Sequence, residues 1–189
     1  SICAVTVALR YDIAIPLPER TDHAANLLAL AGGSVLITSL GIGGGLWMLR
    51  EPISGLLNAP DFAGYMWLIP VGLLGVGGYQ TFNYWAVRQK RYAVLGRTRI
   101  TQSIAAATSQ LGLGLLSAGP IGLIIGKILG RTAGVGSLGL LLKEQAAALR
   151  QIRVRRMMVL ARRYVRFPTL SVPGALLNNA GLHIPALLL

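Results

Sequence analysis

Lys127 and Arg131 stand four residues apart inside a stretch, Ile100 to Leu142, whose 43 residues carry no other charge. A helical turn takes about 3.6 residues, so the two side chains share one helix face. Cations on one face in apolar sequence can draw in an anion, Arg131 through a bidentate guanidinium fork and Lys127 as a point charge. Asn83 and Gln102 are the uncharged candidates for ligand contact, beside Gln80 and Gln110. On apolar helices such groups equally serve as hydrogen-bond partners between helices. Asp12, Glu19 and Asp22 lie among prolines ahead of an apolar run, placed either to pair with arginines or to act in a gate. One cysteine, Cys3, and two histidines give no disulfide framework and no metal-ligand spacing, so neither metal nor other cofactor is expected.

The elements that must hold these groups follow from composition. The 189 residues are 53% hydrophobic and 13% charged, with a mean hydropathy of +0.60, a balance suited to lipid rather than water. A net charge of +12 would suggest nucleic acid in a soluble chain, but here the bases flank apolar runs, so no nucleic-acid partner is expected. Ala24 to Leu49 and Phe62 to Val87 are uncharged runs of 26 residues each. At 1.5 Å per residue either reaches about 39 Å, enough to cross a hydrocarbon core of about 30 Å with tilt. Pro70 in the second is a tolerated kink. Ser117-Ala118-Gly119-Pro120 divides the next run into two helices, and a further span starts near Thr169.

The expected fold is all-α, a polytopic integral membrane bundle with spans at about 24–49, 62–87, 100–117, 120–142 and 169–189. That makes about four complete transmembrane helices and two truncated ones, in a single membrane domain cut from a longer protein. With alternating spans, the segments Arg10–His23, Arg88–Arg99 and Lys143–Pro168 share a side and carry 2, 5 and 8 Lys+Arg, against 1 and 0 on the other side. The first side is then cytoplasmic. Residues 143–168 form a basic cytoplasmic linker that fixes topology, or alternatively a helix lying on the membrane surface. Gly122, Gly126, Gly130 and Gly134, four apart, cut a groove for close helix approach. Counting from Pro120, Lys127 and Arg131 sit about 10 and 16 Å into their span. Exposing both to lipid would cost roughly 5 to 7 kcal/mol, so they face the bundle interior.

Three stretches carry a resemblance. Tyr11-Asp12-Ile13-Ala14-Ile15-Pro16-Leu17-Pro18 comes first, then Asn83 to Tyr92 followed by Arg99-Ile100-Thr101-Gln102-Ser103. The third is Arg166-Phe167-Pro168 with Ser171-Val172-Pro173-Gly174-Ala175-Leu176-Leu177-Asn178. In order and spacing they resemble the Wzx-type oligosaccharide flippases of the multidrug/oligosaccharidyl-lipid/polysaccharide exporter superfamily, with Asp12 where that family usually has Glu. The resemblance implies a transporter, not an enzyme, of twelve to fourteen spans, of which this chain holds the end of the second to the start of the seventh. It implies a carrier of polyprenyl-diphosphate-linked oligosaccharide across the bacterial inner membrane in lipopolysaccharide and O-antigen biosynthesis. Its partners would be that lipid-linked sugar, the bilayer and, as a further candidate, the polysaccharide polymerase machinery. Lys127 and Arg131 would attract the diphosphate or an acidic sugar, with Gln102 and Asn83 as further substrate contacts. Tyr84 and Trp85, beside Arg88, are headgroup-level anchors or, alternatively, substrate contacts.

Three rivals use the same composition, one of them a purely structural membrane scaffold, favoured only if Lys127 and Arg131 snorkel. A membrane-embedded glycosyltransferase or ligase needs acids to bind metal or activate an acceptor, and the expected spans contain none. A multidrug exporter of the same superfamily favours an embedded carboxylate, which these spans also lack.

Overall fold

The computed structural model describes residues 7–56, 64–115, 152–175 and part of 122–139 and 177–181. Lys127 and Arg131, the Ser117–Pro120 turn and most of the expected last span lie outside the described residues. All regular structure among the described residues is helical, as an all-α chain requires.

Helix α1 is the short Tyr11–Ala14, ended by the Pro16 and Pro18 segment that cannot continue a helix. Helix α2, Thr21–Met48, starts beyond those prolines with Asp22 in its first turn, where the helix dipole favours an acid. It is the one helix among the described residues long and apolar enough to cross a membrane. Helix α3 (Arg50–Leu56) follows α2 after one residue. Helix α4 runs Leu68–Arg88, so Pro70 falls in its first turn, where no intrahelical donor is lost, rather than at a mid-span kink. Arg88 ends it with a cation at the negative pole, and Lys90, at φ 56°, turns the chain left-handed into α5 (Tyr92–Leu115). Helix α5 starts eight residues before the charge-free run at Ile100, because Arg97 and Arg99 are good helix formers that bound the run without breaking the helix. Within 143–168 lies helix α6, Val154–Arg163, followed by a π-helical turn, Phe167–Ser171.

Helices α2 and α4 pack antiparallel. A Cβ at Gly43 would stand 3.1 Å from Pro70, and one at Gly77 would stand 2.7 Å from Val35, while Trp85 lies in one core with Leu27 and Leu28. The helical residues of 122–139 sit between α4 and α5. A Cβ at Gly126 would stand 2.9 Å from Gln110, at Gly130 2.5 Å from Ala106, and at Gly134 2.6 Å from Gln102 Nε2. Rising glycine numbers meet falling α5 numbers, so these two helices run antiparallel with their backbones in close approach. The opposite face brings Ile128 to Gly72 and Thr132 to Gly75 on α4. Leu138 closes a third core with Ala86 and Leu95.

Helix α6 lies on the first half of α2. Leu160 joins the α2 core, and Asn26, fully buried, donates to the Asp22 carbonyl at 2.7 Å while accepting from the Arg153 N–H at 2.9 Å. One side chain thereby satisfies a donor at the start of α6 that no helical carbonyl can reach.

Candidate functional site

The α1–α2 connection, the α4–α5 turn and α6 converge on one end of the α2–α4 pair. A Pro-x-Pro segment leaves its carbonyls without helical partners, and buried carbonyls need donors. Arg88 supplies them. Its Nη1 donates to the carbonyls of Pro18 and, at 3.4 Å, Pro16, and its Nη2 donates to the Glu19 carbonyl at 3.0 Å. A cavity of about 310 Å³ opens beside this clasp, lined by Pro16, Thr21, Trp85, Arg88 and Gln89.

Four buried polar atoms lie on the two segments of chain that form this end. Among the described residues, Arg10 Nε, Asp12 Oδ1, Trp85 Nε1 and Gln89 Nε2 have no hydrogen-bond partner. Asp12 is 1% exposed, and burial pushes its carboxyl above the usual carboxylate range, against the Ile13 N–H and the charge of Arg10, which favour ionisation. Leu9 and Arg10, both non-glycine, hold left-handed backbone at φ 47° and 60°. Such conformations cost of order 1 kcal/mol each and persist where packing over-determines them, as around functional sites. A buried carboxyl with one oxygen left without a hydrogen bond is an arrangement suited to accept a polar ligand.

The acids divide. Asp22 pairs with Arg20 at 3.2 Å and with Arg156 at 3.0 Å, the pairing role. Asp12 has no ion-pair partner among the described residues. Gln102 lies in the α5 seam against Gly134, together with Thr98 and Tyr79, so it sits between helices. Asn83, half-buried, is one turn beyond Tyr79 and shares that face of α4. Gln102 and Asn83 therefore belong to the seam, apart from the Asp12 end, while Lys127 and Arg131 fall outside the described residues.

Arg10 and Gln89 were not singled out by sequence reasoning. Their only signal is position, Arg10 beside the Tyr-Asp pair and Gln89 next to Arg88 in the second motif. No three His, Cys, Asp or Glu side chains converge among the described residues. Compared with protein-family models, curated proteins and solved structures, the chain gives no match.

Proposed function

We propose that the protein is a multi-pass transporter of the bacterial inner membrane that flips polyprenyl-diphosphate-linked oligosaccharide from the inner to the outer leaflet. The observation that carries this reading is that the three motif segments meet in space. Tyr11 and Trp85 share a core with Phe167 packed against it, α1 touches the Phe167–Ser171 turn, and Arg88 clasps the first motif's carbonyls.

Exposed apolar side chains support the membrane setting. Leu36, Ile37 and Leu40 on α2 and Ile100, Ile104, Leu111 and Leu115 on α5 are all more than half exposed, a surface that water does not favour. No bond is broken in this reading. The bundle shelters the glycan and diphosphate while the polyprenyl chain stays in lipid, and alternating access opens each side in turn. Asp12 and the Arg88 clasp are then the cytoplasmic gate, and Lys127 with Arg131 attract the diphosphate.

Two measurements test it. Single cysteines replacing Lys90 and Glu51 in a Cys3→Ser background, treated with a membrane-impermeant reagent in intact cells, should label at 51 and not at 90. The reverse pattern sinks the topology. In a strain lacking its oligosaccharide flippase, the protein should restore surface polysaccharide, and the Lys127→Gln/Arg131→Gln double variant at matched abundance should not. Wild-type polysaccharide from the double variant removes the substrate role of that pair.

A further inference from the structure

Helix α6 combines two surfaces that a solvated linker has no need for. Arg155, Val159 and Arg163 follow at intervals of four and form one face, beside Arg156 and Leu160, which turn toward α2. Against them stand Arg20 and His23 from the start of α2, and together these groups line a cavity of about 310 Å³. Four guanidiniums there face one carboxylate, Asp22, which already serves both Arg20 and Arg156. Arg155 and Arg163 have no ion-pair partner among the described residues.

The second surface is apolar. Val154, Met158 and Val159 are 66%, 62% and 61% exposed, directly beside the cations. A soluble anion uses only the charges, whereas a phosphodiester carrying acyl chains uses both surfaces. We infer that the cavity between α6 and the start of α2 binds the phosphate headgroup of an acidic phospholipid, held by Arg155 and Arg163, with Val159 and Met158 against its acyl chains. The inference rests on the membrane reading above, but not on what is transported.

The purified full chain in neutral detergent, titrated with dioctanoylphosphatidylglycerol and followed by thermal unfolding, should bind saturably and rise in Tm. The Arg155→Gln/Arg163→Gln variant should bind about tenfold or more weakly, since each lost guanidinium removes a charge-assisted contact. Arg162→Gln/Arg166→Gln removes the same charge from outside the cavity and should bind as the wild type does. Equal weakening in both variants means diffuse attraction and overturns the site. Equal binding of dioctanoylphosphatidylcholine, or inorganic phosphate matching the phosphatidylglycerol affinity, overturns the acidic lipid. All four exposed arginines leave the buried contacts intact, so the variants fold. Failure of this binding in a protein that still restores polysaccharide removes this inference alone, and binding without restoration removes the transport reading alone.

Discussion

The two ends of the α2–α4 pair are built on different principles. At one, Arg88, Asp12, Asn26 and Trp85 are tied by long-range hydrogen bonds and burial, with α6 laid across them. At the other, Trp47, Arg50, Met66, Trp67 and Pro70 surround an apolar cavity of about 530 Å³, and the polar contacts are local: Arg50 with Glu51 at 4.0 Å, and over the Trp47 ring at 5.0 Å. One end is fixed by specific polar partners and the other by apolar surface that lipid or further chain can cover. Polar residues at the first end are therefore expected to matter far more than those at the second.

The strongest way to break that contrast is Arg88→Ala. Three carbonyls lose a charged donor, so the protein should lose about 2–3 kcal/mol, read as a drop in Tm, with surface polysaccharide falling in parallel. Wild-type stability in this variant would leave the clasp without weight. Gly130→Ala examines the seam between the ends. Its methyl group would meet Ala106 at 2.5 Å, and overpacking should cost about 1–3 kcal/mol, whereas Gly136→Ala, with open space at that position, should be neutral or gain up to about 1 kcal/mol of helix propensity. Equal thermal stability of the two would remove the close approach.

Asp12→Asn sharpens the comparison with a sign. A carboxyl whose pKa is raised on folding binds its proton more tightly in the folded protein, so its contribution favours the fold at low pH and is lost as pH rises through the raised value. The variant cannot ionise, so it should match the wild type in acid and become the more stable as pH rises through the raised value. Under the proposed transport reading, surface polysaccharide should nonetheless fall, the mark of a group kept for function at a cost in stability. A gap in Tm that stays constant with pH would contradict the buried, ionisable Asp12. The smallest effect is expected from Arg50→Ala, under about 1 kcal/mol, because both of its contacts are exposed. A loss equal to that of Arg88→Ala would erase the distinction between the ends.

What was legible in the sequence was periodic. Gly126, Gly130 and Gly134 repeat at the helical spacing, and the structure seats α5 on all three. The start of α5 was not legible, since counting uncharged residues finds the apolar run and passes over Arg97 and Arg99, which cap it in composition but continue it in conformation. Nor was the division between Asp12 and Asp22. Both follow a basic residue by two positions, yet among the described residues only Asp22 pairs with its own, Arg20, and α6 then brings it a second partner, Arg156, more than a hundred residues away. The Arg88 clasp was hidden for the same reason: proline reveals that carbonyls lack donors, but not which distant side chain meets them.

Arg88 is met by neutral carbonyls and, among the described residues, by no carboxylate, so its charge stands undiminished at that end. A guanidinium is a permanent cation in proteins. In a bilayer energised negative inside, each such charge held on the negative side resists inversion of the bundle by about 2.3 kcal/mol per 100 mV. The membrane voltage itself would then hold the proposed transporter right way up, and newly made chains should orient less faithfully in de-energised cells.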